Sequence, residues 1–592
     1  AVVAVFVPVA FMKGLMGRFF YQFGVTVAVA VLISYFVSMT LTPMLSARLL
    51  TEHVGQGSVS RAIEKVLRAV EGFYRRALGW LLGHRGITVA AALLVLVGTV
   101  FLATKLKFTF LPQQDMSVVK VTLEMPAGTT LAETQRQLDD ISRQLRQVPG
   151  VTDAFSVAGG GAREEVNKGE ITVNFVPIAR RSYGQADLKE HLRRTLRVSP
   201  EAQLAVQDFN AVAGGGSRSQ MVQFNLRSTD PEALLTAVGK TRDAMKKNPG
   251  FVDVDTTWRS GKPQLDVEVD RERAAAFGIP AALVGQNVRA LMAGDKVSDF
   301  LEGSDTWDIK LRLPPEVLSD PAELGAIPVR APTGQLVELR TIANVKEALG
   351  PSQIEHQAQM RQVTLLADLR NYSLGEAMGY LGDFAKKELP ASVTTDFEGQ
   401  GRELGDAARA FVLALLLGVV LVYIILAAQF ESLIHPFTIM MSLPFAVIGG
   451  IAGLLVTGQY MSMMAMIGFI MLMGLVTKNG ILLVEFTNQL RAAGKSTREA
   501  LLEAGPIRLR PILMTTVAMI AGMIPVALAR GDGAETRVPM GVAIIGGLLT
   551  STVLTLGIVP VVYSLLDEAR ERVMRRRASR RGEGTAAAAR EA

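Results

Sequence analysis

The 592-residue sequence has no cysteine, which excludes a disulfide framework and any thiolate metal site. Histidine is nearly as scarce. Its five copies are scattered, and His435 sits beside Pro436 in a loop, so no histidine ligand set and no resident metal are expected. No Gly-rich loop with the Lys-Ser/Thr spacing of a nucleotide cradle occurs, which leaves ATP drive and any cofactor unsupported. No nucleophilic triad is suggested. The opening segment lacks a basic n-region and a small-residue cleavage site, so it does not read as a signal peptide. The net charge of +7 does not point to nucleic acid, because the basic residues sit mainly in loops and in the tail Arg575, Arg576, Arg577, Arg580, Arg581.

The most informative shortage is of charge. No Asp, Glu, Lys or Arg lies between Arg18 and Arg48, Arg85 and Lys105, or Arg409 and Glu431. The same holds from Glu431 to Lys478, Arg510 to Arg530, and Arg537 to Asp567. A helix of about 20 apolar residues crosses the hydrocarbon core. These runs predict seven complete spans and a clipped one at the start; the run from Glu431 holds one span and most of another, broken near Thr457, Gly458 and Gln459. The chain therefore reads as a polytopic membrane protein in contact with the lipid bilayer.

Loops rich in Lys and Arg mark the cytoplasmic side. The stretches Arg48 to Arg85 and Arg491 to Arg510 and the basic tail should share it, in a bacterial inner (cytoplasmic) membrane. Residues 60–82 have helical apolar spacing with Arg on another face, which predicts an amphipathic helix along the membrane, or a bridging helix without lipid contact. Residues from about 106 to 405 are mixed and polar, and belong on the periplasmic side. There the strand VVKVTLEM (118–125), the helix 131–148 and the strand 170–178 are followed by a second set at 221–228, 231–248 and 251–258. This is the rhythm of small α+β sandwiches. Residues 328–343 read as a hairpin turning at Pro332-Thr333-Gly334.

The ends of the sequence repeat each other. An offset of 517 positions places Pro8 on Pro525, Gly14 on Gly531, Gly24 on Gly541, Ser34 on Ser551 and Pro43 on Pro560. Duplicated halves are common in secondary transport, and the offset predicts about 430 residues before Ala1, in a parent of roughly 1,020.

Lys478 lies in AMIGFIMLMGLVTKNGILLVEF, beside Asn479. An ionisable group inside a span is costly and usually paired and functional; the alternative is a lysine snorkelling from a helix end. The segments GLVTKNGILLVEF (474–486), RLRPILMTT (508–516), FLPQQD (110–115) and MPAGTT (125–130) together resemble the resistance-nodulation-division (RND) efflux pumps, the hydrophobe/amphiphile branch in particular. The resemblance covers the chain apart from the tail after about Arg575. It implies a multi-pass α-helical protein with a large periplasmic α+β region of ferredoxin-like porter subdomains and a docking subdomain. It also implies proton antiport rather than enzymatic chemistry, a homotrimer, a periplasmic adaptor protein, an outer-membrane channel, and hydrophobic small molecules as substrates.

On this resemblance the chain divides into first-half spans (1–50), a cytoplasmic amphipathic linker (51–85), a span (86–105), porter segments (106–216, 217–258 and 351–405), a docking segment (259–350), a five-helix bundle (406–568) and a tail (569–592). The family's relay lysine, which pairs with two aspartates on an earlier span, matches Lys478. Its arginine and threonine match Arg508 and Thr515, seven residues apart and so on one helix face; Asn479 joins them. The drug-binding loop matches Phe155 with Gly159, Gly160 and Gly161, and Phe209 precedes Gly214-Gly215-Gly216; both phenylalanines could equally be core residues beside glycine turns. The family's fuller phenylalanine cluster is lacking there, which implies a narrower or different substrate range. Two other readings stay open: a metal-exporting relative, with Met221 and Met360 as periplasmic candidates, and an inactive fragment or membrane scaffold.

Overall fold

The computed structural model describes residues 2–10, 14–49, 58–159, 165–209, 220–258, 261–314, 321–350 and 353–591. Among them, seven helices are long and apolar enough to cross a membrane. Helix α1 (Val2–Ala10) is short and packs on α2 (Gly14–Leu49), and α3 (Ser58–Gly83) leads into α4 (Arg85–Ala103).

α3 has three faces. Tyr74, Leu78 and Leu82 turn inward, whereas Ile63, Val66, Val70, Phe73 and Trp80 form an exposed apolar stripe at spacings of three and four. Arg61, Lys65, Arg68, Arg75 and Arg76 occupy the remaining exposed surface. Such a helix suits a membrane boundary, where one face meets apolar surface and another meets water.

The extramembrane region begins with β1 (Val118–Glu124), α5 (Leu131–Arg146), β2 (Val151–Ala158), β3 (Lys168–Phe175), α6 (Gln185–Thr195) and β4 (Gln203–Asp208). The strands pair in the order β2-β3-β1-β4, all antiparallel. Strand alternation buries Val119, Val121 and Leu123 against Leu138, Ile141 and Leu145 of α5. α5 starts where Thr130 accepts the Glu133 amide at 3.3 Å.

A second unit repeats this plan from β5 (Val222–Ser228), α7 (Pro231–Lys247) and β6 (Phe251–Thr256). It is interrupted by an insertion: β7 (Lys262–Val269), α8 (Arg271–Ala276), α9 (Ala281–Arg289), β8 (Asp295–Glu302), β9 (Asp305–Leu311), α10 (Pro321–Gly325), β10 (Pro328–Arg330), β11 (Leu336–Glu338), α11 (Leu339–Ile342) and β12 (Ala343–Gly350). It then resumes with β13 (Glu355–Gln357), β14 (Met360–Leu369), α12 (Leu374–Glu388) and β15 (Thr394–Glu398). β14 lies between β5 and β6, and β15 pairs β5. The two halves of the unit are thus far apart in sequence and adjacent in the sheet.

The expected hairpin at 328–343 is shorter than its pattern suggested. β10 and β11 pair across Gly334, at φ +90°, but only to Glu338. Leu339 and Ile342 then form a helical turn because both enter the core of the insertion. β8 and β9 form a second, exposed hairpin that the sequence reading did not anticipate.

The chain returns to the membrane as α13 (Gln400–Phe430), α14 (Ile434–Met440) and α15 (Ser442–Val456), then α16 (Met463–Ala492), α17 (Thr497–Ala527) and α18 (Val538–Glu591). The break between α15 and α16 falls at Gly458, at φ +68°. The 517-residue repeat has a structural counterpart: Gly24 of α2 lies against Phe6 of α1, and Gly541 of α18 lies against Ala527 of α17. Each helix pair approaches closely at the matched glycine. The result is a multi-pass α-helical membrane protein with an α+β region inserted between its fourth and thirteenth helices.

Candidate functional site

α16 is the most enclosed span. Ser462 caps it by accepting the Ala465 amide at 3.4 Å. Beyond that cap follow apolar residues, which leaves any polar side chain in the middle dependent on neighbouring helices. Lys478 sits there half-buried, and its ammonium has no hydrogen bond or ion pair among the described residues. Thr477 and Asn479 on either side are about 1 % exposed.

Asn479 connects three helices. Its Nδ2 donates a long bond, 3.5 Å, to Thr552 Oγ1 on α18, and Thr552 Oγ1 lies 3.2 Å from Thr516 Oγ1 on α17. Thr552 donates its own proton to the Leu548 carbonyl at 2.7 Å. A hydroxyl has one proton, so Thr516 must be the donor to Thr552. Asn479 Oδ1 and Thr555 Oγ1, one turn along α18 from Thr552, are buried without a partner among the described residues. The centre therefore holds acceptors still able to receive a proton or a water.

Arg508 and Thr515 are placed differently from Asn479. The Arg508 guanidinium lies over the Phe486 ring of α16, 4.6 Å from its centroid, a cation–π contact. Its Nε has no partner among the described residues. Thr515 is exposed in this chain and donates to the Ile512 carbonyl at 3.1 Å. The threonine that meets the α16 and α18 groups is Thr516. Thr516 and Thr552 were not singled out from the sequence, although TT at 515–516 and TSTVLT at 550–555 interrupt apolar runs and were a readable signal.

In the extramembrane region Phe155 and Phe209 are 67 % and 42 % exposed, so neither is a core residue here. Phe155 pairs with Thr172 on the sheet face turned from α5 and α6, and strand alternation carries Phe209, next after β4, to the same face. They stand at opposite edges of the four-stranded sheet, three strand spacings and two residues of offset apart, about 16 Å. The paired Lys120 and Glu170 lie between them. Gly159 adopts φ +67° just past β2. Gly160, Gly161 and Gly214-Gly215-Gly216 lie outside the described residues.

Met221 and Met360 flank opposite ends of the β5–β14 ladder, which runs from Ala367↔Val222 to Arg361↔Ser228. Eight residue steps along the ladder separate them by about 26 Å, too far to share an ion. No group of three or more His, Asp or Glu suited to a metal occurs among the described residues.

A model of the family described as AcrB/AcrD/AcrF matches residues 1–567. Among solved structures, the chain is similar to an X-ray crystal structure of a heavy metal efflux pump, with a TM-score of 0.80 at 23 % identity. That match covers 96 % of this chain and 56 % of the other. The chain thus spans about half the length of that relative, and at this identity the likeness speaks for the fold.

Proposed function

As a chain that belongs to the AcrB/AcrD/AcrF family of RND efflux transporters, we propose that this protein forms part of a proton-driven exporter of hydrophobic or amphiphilic compounds. The observation that carries this reading is Lys478: a half-buried ammonium without a partner among the described residues, at mid-helix in the most enclosed span, beside a buried amide and hydroxyl network. An unpaired ammonium in such a place attracts carboxylates and holds them ionised until a proton arrives. In the working transporter, Lys478 pairs with acidic groups and is released when they are protonated. Asn479 takes part through its free carbonyl, and Arg508 and Thr515 act along α17.

Substrate enters the extramembrane region, where Phe155 and Phe209 offer exposed aromatic surface; the resemblance assigns Gly159, Gly160 and Gly161 to substrate contact as well. We place the protein in the bacterial inner membrane as a homotrimer, working with a periplasmic adaptor and an outer-membrane channel. Metal export is less well supported, since the two methionines cannot meet at one ion.

The test is export in cells lacking their own pumps, with the complete transporter restored. Lys478→Ala should abolish dye efflux and drug tolerance at unchanged membrane abundance. Retained efflux overturns the relay. Protection against copper or silver without protection against dyes would replace hydrophobic substrates by metal.

A further inference from the structure

The two βαββαβ units meet at a cluster of charges around Asp368, at the end of β14. Asp368 is 8 % exposed. Its Oδ1 accepts the Met221 amide at 3.1 Å, and its Oδ2 has no partner among the described residues. The β6–β14 ladder slips register between Leu366 and Asp368, and across it Asp253 holds φ +52°. A non-glycine residue in that region is strained, so something must hold it. Arg193 of α6 does, donating to Asp253 Oδ2 from Nε at 3.0 Å and from Nη2 at 2.8 Å.

The remaining charges can be counted element by element. From the first unit, α6 presents Lys189, Glu190 and Arg193, and β4 presents Asp208. Lys189 donates to Asp208 at 2.7 Å, and Gln185 donates to its other oxygen at 2.7 Å. From the second unit come Asp253, Asp368 and Arg370, and Arg370 reaches Glu190 at 3.2 Å. Glu190 also takes Arg194, at 2.8 Å. Lys189 and Arg193 thus balance Asp208 and Asp253, and Arg370 and Arg194 serve Glu190. Among the described residues no cation is paired with Asp368.

We propose that Asp368 is a proton-binding site at the boundary of the two units, and that its ionisation loosens the Arg193–Asp253 and Arg370–Glu190 pairs that join them. A neutral Asp368 leaves each of these pairs undisturbed. An ionised one adds a third carboxylate beside Asp208 and Asp253 and competes for Lys189 and for Arg193, whose pair with Asp253 crosses the boundary. Burial pushes the Asp368 carboxyl up to about 7, with Asp253 and Asp208 adding repulsion against the favourable Met221 amide and Lys189. Because the closed-state value is raised, closure is fully favoured below the ordinary carboxylate range of about 4 and is lost as pH rises to about 7. The ligand is a proton, since the neighbouring carboxylates already hold organic cations. The inference concerns contacts within this chain and stands whether or not the membrane helices move protons.

The chain lacks cysteine, so two labels can be placed without background. Arg143→Cys on α5 and Asp243→Cys on α7, both exposed, would report the distance between the units by pulsed electron spin resonance on the purified full chain. The expected result is a narrow distribution at about pH 5 that becomes longer and broader as pH rises, with the change complete slightly above 7. Asp368→Asn, which mimics the neutral acid, should stay narrow throughout, and Arg193→Ala should be broad throughout. A parent distribution unmoved by pH overturns the proposal, as does an Asp368→Asn distribution that moves like the parent's. Infrared difference spectra supply a second reading on the parent chain alone. A carboxylic-acid C=O band lost as pH rises through the same interval is expected, and no such band overturns the assignment.

Discussion

Gly449 of α15 and Gly546 of α18 are in backbone contact. A Cβ added to Gly449 would stand 2.3 Å from the Gly546 carbonyl oxygen and 1.7 Å from Thr550 Oγ1. Gly453 and Gly547 extend this seam, and Thr550 donates across it to the Phe445 carbonyl at 3.2 Å. Within a bilayer, apolar burial does not drive helices together, so close approach of small residues must do so. Gly449→Ala should therefore destabilise the bundle by about 1–3 kcal/mol through overpacking. Gly98→Ala, with nothing within 4 Å of the added carbon, should be neutral. Thermal unfolding of the two variants in detergent compares them directly.

The amphipathic helix α3 is pinned to the bundle along its C-terminal half. Tyr74 donates to the Leu556 carbonyl of α18 at 2.9 Å, and Glu71 accepts from Arg510 of α17 at 3.0 Å. Gly505 of α17 admits Tyr74 and Leu78 where any side chain would clash. Tyr74→Phe removes one partly buried hydrogen bond, expected to cost about 1 kcal/mol. The loss should show as faster amide exchange confined to α3 and the facing turn of α17. Uniform acceleration across the bundle would mean that the contact is not local.

Much of this architecture is legible in the sequence because its signals are local. Long uncharged runs bounded by Arg and Lys give the spans, and alternation in 118–125 gives β1 directly. The stripe Ile63, Val66, Val70, Phe73 gives α3 its exposed face. The β8–β9 hairpin escaped because its strands lie exposed throughout, so no core face imposes an alternation; Phe300 and Trp307 are paired yet both exposed. The site divides the same way. Lys478 stands out against apolar neighbours, but nothing in the order of residues tells which of Thr515 and Thr516 turns toward α18. Helical phase decides that, and phase is set by packing. The Asp368 cluster was invisible for a related reason: its charges come from residues 189 to 370, and each looks ordinary in its own segment.

Asp115 joins the first extramembrane unit to the membrane helices. Its carboxylate receives Arg181 and the amides of Ser117 and Gln185, and its carbonyl accepts the Gly533 amide from the turn between α17 and α18 at 2.9 Å. Asp532 in that turn accepts from Ser117 Oγ at 3.2 Å. The Arg181 side chain is 1 % exposed. Asp115→Ala strands a buried guanidinium and should cost about 3–5 kcal/mol, whereas replacing both partners by apolar residues should recover most of it. Thermal transitions of Asp115→Ala and of Asp115→Leu with Arg181→Met test this. An equal loss in both variants would show that the hub acts through its backbone contacts instead.

Thr552 separates a structural from a functional role at the membrane centre. It accepts from both Asn479 and Thr516 while donating to Leu548, so its oxygen holds α16, α17 and α18 in one polar contact. Thr552→Val keeps the shape and removes the acceptor, leaving Asn479 Nδ2 and the Thr516 hydroxyl without a partner. In a membrane interior such bonds contribute about 1 kcal/mol, too little to unfold a bundle held by the Gly449–Gly546 seam. If Asn479 is positioned for proton traffic beside Lys478, the valine variant should lose efflux about 10-fold at normal abundance, the change that about 1.4 kcal/mol in a barrier produces. Thr552→Ser, which restores the acceptor, should recover it. Efflux unchanged in the valine variant would confine Thr552 to packing and leave Lys478 to act without this network.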